Sequence, residues 1–485
     1  NHEVLNMENH PHTEGKTCPP SVGVPKYGAG ASQSVSQNVQ SSPRFSVTIP
    51  QLLAALASYG VGYLYLRLLF DWYRGPGLAV FAAVFCLWTE GFCRAERRPA
   101  PKESRLWLGV LAVLCLAACL HPTGLTFTAC RLAAHGAAAY WALARTGMLA
   151  EGITGPLLPL DLLSAFVVLP FGRFFLRLRT LLAGVNQLRP RRGGLRRLGL
   201  VLLTLAVMLP VWGMAIQLLS QADVGFALLT RDLTGWAARL LPRPDAFTLV
   251  MLVLSLPVGA WLYGLVGGAL RRTVPPVNGQ AIRTGAEALR VAPCPAVAAA
   301  LAGTCLLYVL FFAVQAGYLF GAFTGHLPAG LTAANYARQG FFELCQVCTL
   351  NFALLAGAAK LSRSPLRTRL LLRGLAALLC AETFLFGLVA AAKLGLYIQR
   401  FGLTERRLFS AWAIGILLLA AVLALARLRR AFASVRVLAL TCAVSFAAVC
   451  LFSAAALPHM NFEEYEAPMA SACEPSESSE PGPLL

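Results

Sequence analysis

The chain has 485 residues, of which 57% are hydrophobic and only 13% are charged, and its mean hydropathy is +0.64. A soluble domain has about 45–50% apolar and about 25% charged residues, so the composition excludes a soluble enzyme, a disordered scaffold and a coiled coil. So many apolar side chains require a bilayer, and we predict an all-α, polytopic transmembrane helical bundle. The net charge of +19 lies in short loops between apolar runs, which follows the positive-inside rule and argues against nucleic-acid binding.

The two ends of the chain differ from its middle. Residues 1–44 are polar and rich in Ser, Gly, Pro and Asn, which predicts a disordered tail without a signal peptide; the chain begins with Asn1, and Met7 is an alternative start. Residues 459–485 hold six Glu and no Lys or Arg, which predicts an acidic disordered tail. The segment 45–458 is therefore predicted to be one multi-span membrane domain.

Apolar runs of about 17–25 residues bounded by charges, Gly or Pro predict the membrane spans. Eleven runs fit this description: Leu52–Phe70, Gly77–Phe92, Leu106–Leu120, Leu162–Leu178, Leu198–Leu219, Phe247–Leu270, Val297–Phe323, Phe341–Ala359, Leu370–Ile398, Phe409–Ala426 and Val437–Leu457. A twelfth run, Leu125–Leu143, is weaker because it contains Arg131 and His135 and is mostly Ala.

Loop charge sets the predicted topology. The basic loops are Arg94–Arg105, Arg173–Arg197, Arg271–Arg290, Lys360–Arg373 and Arg427–Arg436. The first two must be separated by an even number of spans, so we expect Leu125–Leu143 to lie in the interface or to re-enter the membrane. This predicts eleven spans in the cell membrane, with the N-terminus in the cytoplasm and the C-terminus outside.

Ionisable residues inside spans are the first candidates for function, because a charge at mid-bilayer costs at least about 2.5–3.5 kcal/mol. Glu90 lies at a span end, where snorkelling is expected. Glu382 lies midway along its span, and Lys393 follows eleven residues later on the same helical stripe, about 16 Å away. We expect Glu343 to face Lys393 at the outer rim and Asn351 to hydrogen-bond Glu382 below it. Whether this cluster is functional or a helix clamp stays open.

One basic loop breaks the positive-inside rule. Lys393, Arg400, Arg406 and Arg407 fall where the alternation places the outer face. Acidic partners, lipid phosphates or a ligand would explain them, as would an amphipathic helix with solvated arginines. The sequence Gly-Leu-Thr at 402–404 predicts a break followed by an N-cap, with the Thr404 side chain accepting a hydrogen bond from the next helix.

Two stretches, 335–344 and 393–407, resemble an uncharacterised family of bacterial polytopic membrane proteins defined only as a domain of unknown function, of the DUF4153 or DUF4173 type. The matching residues are Tyr336, Arg338, Gly340, Phe341, Glu343, Lys393, Tyr397, Gly402, Thr404 and Arg407. The resemblance covers about residues 50–460 and is most specific at 325–458. It implies the architecture and the position of a site, and no mechanism.

Two functional readings follow. The first is a transporter, or a lipid- or anion-binding membrane protein whose outer-face cluster binds an anionic lipid or small anionic solute. Its candidate binding residues are Arg338, Glu343, Asn351, Glu382, Lys393, Tyr397, Arg400 and Arg407. The alternative is a non-catalytic scaffold or regulatory partner of a signalling or envelope complex.

An enzyme is less favoured by the sequence, because no nucleotide-binding or hydrolase motif is present and Glu382 alone is too little for intramembrane catalysis. We predict no catalytic residue, no metal site and no cofactor. Cys345 and Cys348 form a C-x-x-C pair inside a span, and we expect them to be packing residues.

Overall fold

The computed structural model describes residues 46–68, 75–187, 193–222, 245–324 and 341–461. These residues form helices joined by short connections and one isolated bridge between Ala292 and Ser362, so the predicted all-α class is confirmed. The predicted tails lie outside the described residues, apart from the first three residues of the C-terminal one.

The first half of the domain contains eight helices in the described ranges. They are α1 (Ile49–Leu66), α2 (Gly75–Ala95), α3 (Lys102–Leu120), α4 (Gly124–Thr146), α5 (Leu158–Leu163), α6 (Leu169–Gly172), α7 (Leu176–Gln187) and α8 (Gly193–Ala222). Local sequence sets several of their ends. Thr48 and Gln51 form a capping box at the start of α1, and Gly147 ends α4 in the left-handed region at φ 75°.

The second half of the domain also consists of helices joined by short connections. Its helices are α9 (Ala246–Leu270), α10 (Gly279–Ala288), α11 (Cys294–Thr324), α12 (Phe341–Leu361), α13 (Leu370–Phe401), α14 (Glu405–Arg429), α15 (Ser434–Ala455) and α16 (Leu457–Asn461). Across the described residues, nine helices are long and apolar enough to cross a membrane: α1, α2, α3, α9 and α11–α15. The chain is therefore a multi-pass membrane protein.

The weak run Leu125–Leu143 does not turn back on itself as a re-entrant segment would. It belongs to α4, a continuous helix of 23 residues that packs along α3. At its start, Thr126 hydrogen-bonds Ser453 at the end of α15, and at its other end Arg145 contacts the α2–α3 connection. The helix thus joins the same two ends of the bundle as α3. Its low hydropathy reflects burial among other helices, where small residues allow close packing.

The run Leu162–Leu178, which the sequence predicts as a span, is broken. It is split into α5, a π-helical turn at Ser164–Val168, α6 and α7, and the two parts differ in direction by 44°. Its start contacts Gly279, and its end at Gly184 packs on Leu52 near the start of α1, so both ends lie at one end of the bundle. The segment is therefore a broken span or a re-entrant loop.

Two further described helices, α4 and the 30-residue α8, are long enough to cross a membrane but are not among these nine apolar helices. The connections after α2, α9 and α12 meet at one end of the bundle, through Arg98 bound to the carbonyl of Leu270 and the bridge between Ala292 and Ser362. Arg436, at the start of α15, pairs with Glu103 there. We call this the basic end and the other the opposite end.

The helices pack around two hydrophobic cores. The first core lies among α1–α7, α9 and α15, and the second among α11–α14. The tightest crossing in the first core is between α1 and α9, where a Cβ added to Gly62 would lie 2.7 Å from the backbone nitrogen of Gly259. Small residues at a crossing let two backbones approach in lipid, where van der Waals packing replaces the hydrophobic effect as the driving force.

Candidate functional site

The predicted outer cluster is only partly brought together. Arg338 lies outside the described residues. Glu343, exposed in the first turn of α12, interacts electrostatically with Lys393 of α13. Lys393 is fully buried, with 0% of its surface accessible, so it belongs to the second core and is not a surface cation.

Asn351 does not hydrogen-bond Glu382, and that prediction is wrong. Its Oδ1 accepts from the hydroxyl of Tyr308 at 2.7 Å, and its Nδ2 donates to Oγ1 of Thr383 at 3.0 Å. Thr383 in turn donates to the carbonyl of Leu379 at 2.6 Å. Successive residues on a helix point about 100° apart, so Thr383 faces α12 while Glu382 faces α11. The result is a saturated polar network that joins three helices.

Glu382 stands beside this network without joining it. Only 6% of its surface is accessible, and neither carboxyl oxygen has a hydrogen-bond partner in the part of the chain that the structure describes. The neighbouring polar group is the thiol of Cys305 on α11, and a thiol is a weak donor. The carboxyl therefore faces a region that offers it little polar compensation.

Most of the remaining predicted residues lie in or next to the turn between α13 and α14. Gly402 adopts φ 72°, which confirms the predicted break, and Arg407 donates to the carbonyls of Phe401 and Gly402. The Arg407 guanidinium also lies 4.2 Å from the centre of the Tyr397 ring, a cation–π contact. Thr404 is the N-cap residue as predicted, but its side chain makes no capping hydrogen bond.

Arg400 is exposed in the last turn of α13. Cys345 and Cys348 lie on α12, where the buried Cys348 thiol donates to the carbonyl of Thr383. Across the described ranges, no group of three His, Cys, Asp or Glu side chains is arranged to hold a metal ion.

Glu90 does not snorkel, because it is the acceptor of a two-helix clamp at the basic end. Arg145 of α4 donates to both of its carboxylate oxygens, through Nε and through Nη2 at 3.2 Å. Arg145 also donates to the carbonyls of Arg98 and Pro99, and its own side chain is 4% exposed. A second arginine, Arg94, pairs with Glu90 from the solvent side at 2.8 Å. The arrangement fixes α4 against α2 and reads as structural.

The first core contains a cavity of about 480 Å³ that the sequence analysis missed. It opens between α1, α2, α4, α9 and the bent segment α5–α7. Its wall is mostly aromatic and aliphatic: Tyr65, Phe81, Phe85, His135, Ala138, Ala139, Phe166, Phe171, Phe174, Pro257, Val258, Trp261, Leu262 and Leu265. The volume lies within the range of about 300–1,000 Å³ that small-molecule sites have.

The polar groups of the cavity form one dyad. The Tyr65 hydroxyl lies 3.3 Å from Nε2 of His135, and Nδ1 of His135 lies 2.6 Å from the carbonyl oxygen of Arg131. A carbonyl only accepts, so Nδ1 carries the proton and Nε2 accepts from the tyrosine hydroxyl. The Arg131 side chain interacts electrostatically with Tyr65. The cavity thus has apolar walls and a polar corner next to a cation.

The bent segment forms one wall of the cavity. Phe166 lies within the π-helical turn, and its carbonyl, released from regular α-helical pairing, accepts from the Trp261 indole at 3.2 Å. Single π-helical turns occur often at functional sites. Pro170 touches α9 so closely that a Cβ added to Gly264 would lie 2.8 Å from its carbonyl oxygen. The wall is consequently fixed to α9 at two points.

Two signals in the sequence point to the cavity only in retrospect. The run Leu162–Leu178 contains Pro170 and two adjacent phenylalanines, and α9 contains Pro257 within a helix. Both prolines disturb helices, and π-helical turns and prolines are where membrane helices leave room for ligands.

Comparison with known proteins places the chain in a family. Residues 108–458 match the family described as Domain of unknown function (DUF4153), and this match covers well over half of the chain. The chain belongs to that family. No curated protein and no solved structure matches it.

Proposed function

We propose that this member of the DUF4153 family is a lipid-binding membrane protein and that the aromatic cavity of its first core holds the apolar chain of an amphiphile. The observation that carries the proposal is the cavity itself, about 480 Å³ lined by rings and aliphatic side chains within the membrane domain. A polar solute would leave its hydrogen-bonding groups unmatched against such a wall.

The polar corner favours an amphiphile over a plain hydrocarbon. Tyr65 and His135 supply one hydroxyl and one imidazole at the edge of the cavity, and Arg131 is near enough to act on Tyr65. A ligand with an anionic or strongly polar headgroup and a single chain would place its head at this corner and its chain between Phe85 and Trp261. A fatty acid, a lysophospholipid and a prenyl phosphate share this chemistry.

The test is a cavity-filling variant with a matched control on the same helix. Ala138→Phe adds a ring inside the cavity, whereas Leu132→Phe adds one at a position that is 67% exposed. Protein purified in mild detergent is extracted, and the lipid bound per chain is quantified by mass spectrometry. We expect the native chain and Leu132→Phe to retain the same lipid class and Ala138→Phe to lose most of it.

A ligand that binds only the folded state also raises the melting temperature. Added single-chain amphiphile should therefore stabilise the native chain and the control, but not Ala138→Phe. Equal lipid content and equal melting shifts in all three proteins would contradict the proposal and favour the scaffold reading.

We propose further that the protein lies in the cell membrane with its basic end in the cytoplasm. The positive-inside rule and the position of Arg98, Arg271 and Arg436 at one end support this orientation. With eleven crossings it puts the N-terminus in the cytoplasm and the C-terminus outside. A cysteine at Gly285, where α10 is open to solvent, should be labelled only from the cytoplasm, and one at Leu403 only from outside. The reverse result would overturn this orientation.

The transporter and scaffold readings stay predictions. An anion site at the outer rim would use Arg400 and Arg338, since Arg407 is engaged by the turn and Lys393 is buried. Charge removal at Arg400 with no effect on anion-dependent stability would dismiss it.

A further inference from the structure

The carboxyl of Glu382 differs from every polar group around it. The neighbouring network of Tyr308, Asn351 and Thr383 has a partner for each side-chain group that it buries. Glu382 is equally buried, and among the described residues its carboxyl meets no better donor than the weakly donating thiol of Cys305. A residue that only clamped helices together would be hydrogen-bonded, because a partly satisfied polar network is less stable than an apolar core. A role as a helix clamp therefore does not explain this carboxyl.

The surroundings of Glu382 admit only its neutral form. From α11 it faces the Cys305 thiol, and the Tyr308 hydroxyl lies near enough to interact. From α12 the nearest titratable group of the cluster is Cys348, whose thiol is used by the carbonyl of Thr383. None of these groups is a cation. An ionised carboxylate in such a site would have no compensation.

Among the described residues, the cations of the region are too far away or engaged elsewhere. Arg373 of α13 lies nine residues before Glu382, about 14 Å along the axis, and is exposed. On α13 itself Lys393 lies eleven residues on, about 16 Å along the axis, where it interacts with Glu343. On α14 the basic residues lie near the two ends of the helix, and Arg427 donates to Ser434. Since no cation among the described residues reaches Glu382, a charged carboxylate there would need water entering between α11 and α13.

We propose that Glu382 is a proton-binding site within the membrane domain, and that it releases its proton only when α11 separates from α13. In the packing described here the site holds the proton, and loss of the proton favours an opened arrangement in which water reaches the carboxylate. This inference is independent of the lipid cavity, which lies in the other core. In this proposal, the packing of α11 against α13 depends on whether Glu382 carries a proton. A proton-driven or pH-regulated membrane protein requires such a coupling.

The first test uses dicyclohexylcarbodiimide, an apolar reagent that reacts with protonated carboxyls. The acid proton moves to a carbodiimide nitrogen, the carboxylate oxygen adds to the central carbon, and the adduct rearranges to a stable N-acylurea without a leaving group. The purified chain in detergent is labelled at about pH 7 and mapped by peptide mass spectrometry. We expect the principal adduct on Glu382.

Glu90 is the matched control, because it lies in another apolar helix but is held as an anion by Arg145 and Arg94. Labelling of Glu382 should exceed labelling of Glu90 by about tenfold or more. Glu382→Gln should remove the adduct. If that variant folds poorly, the comparison of Glu382 with Glu90 in the native chain still tests the proposal. Absence of the Glu382 adduct, or equal labelling of both residues, would overturn the proposal.

The second test asks whether proton release opens the packing. Cys305 is 2% exposed and lies against Glu382, whereas Cys450 is fully buried in the other core. Between about pH 7 and about pH 9, alkylation of Cys305 relative to Cys450 should rise in the native chain and stay constant in Glu382→Gln. A ratio that changes equally in both proteins would mean that Cys305 accessibility does not depend on Glu382, and would overturn the coupling.

Discussion

The clamp at Glu90 gives the sharpest prediction about stability, because two arginines bind one carboxylate from environments that differ in exposure. Arg145 approaches from inside the bundle with 4% of its side chain exposed, and Arg94 from outside with 76% exposed. Arg145 also satisfies the carbonyls of Arg98 and Pro99. Removing each arginine in turn therefore compares a buried and an exposed ion pair on the same acceptor.

The magnitudes follow from burial. Breaking a fully buried pair costs about 3–5 kcal/mol. Glu90 is 27% exposed and keeps Arg94 in the variant, so we expect Arg145→Ala to lower the free energy of unfolding by about 2–4 kcal/mol. Arg94→Ala removes an exposed pair of the i,i+4 type and should cost at most about 0.5 kcal/mol.

The assay is equilibrium unfolding in mixed micelles of native detergent and dodecyl sulfate, followed by circular dichroism. A double-mutant cycle with Glu90→Gln separates the coupling energies, which should be larger for Arg145 than for Arg94. If the two arginine variants lose the same stability, burial does not set the strength of this clamp and the reasoning is refuted.

Three further predictions use the same unfolding assay. Gly62→Ala should destabilise the chain by about 1–3 kcal/mol, because the added Cβ would meet the backbone of α9. Gly60→Ala, where the space around the glycine is open, should leave the stability unchanged. Similar losses in both variants would refute the close crossing of α1 and α9. Asn351→Ala should cost about 1–3 kcal/mol because Tyr308 is left without an acceptor, and an unchanged stability would show that the network is dispensable. Glu382→Leu should be neutral or stabilising, because Asn351 does not depend on that carboxyl; a loss above about 2 kcal/mol would reveal a hidden partner.

The amino-acid sequence predicts the helical class and most crossing helices because apolar length is a direct requirement of the bilayer. Loop charge predicts an even number of spans between the first two basic loops, but it does not say which weak run is irregular. The prediction chose Leu125–Leu143, whereas the structure breaks the chain at Leu162–Leu178. High hydropathy is required where a helix contacts lipid. Most of the surface of α4 is covered by protein instead, so its polar and small residues are tolerated and make the run look like a weak span.

The candidate site was predictable only in part. Helix spacing correctly puts Glu382 and Lys393 on one stripe of α13, but the sequence predicts Lys393 at the outer rim, whereas its side chain is buried in the second core. Spacing does not reveal which neighbouring helix each residue faces, so the partner of Asn351 was wrong. The aromatic cavity depends on five elements that are distant in sequence, and no local pattern encodes such a space.

Photocrosslinking tests the central claim most directly. A fatty acid with a diazirine near the end of its chain is incorporated into nanodiscs with the native chain, irradiated, and mapped by mass spectrometry. We expect adducts at the cavity wall, on the α9 stretch that includes Val258 and Trp261 and on α4 near His135, and we expect them to disappear in Ala138→Phe. Adducts confined to lipid-facing residues such as Leu132 and Leu307, and unchanged in the variant, would contradict lipid binding in the cavity.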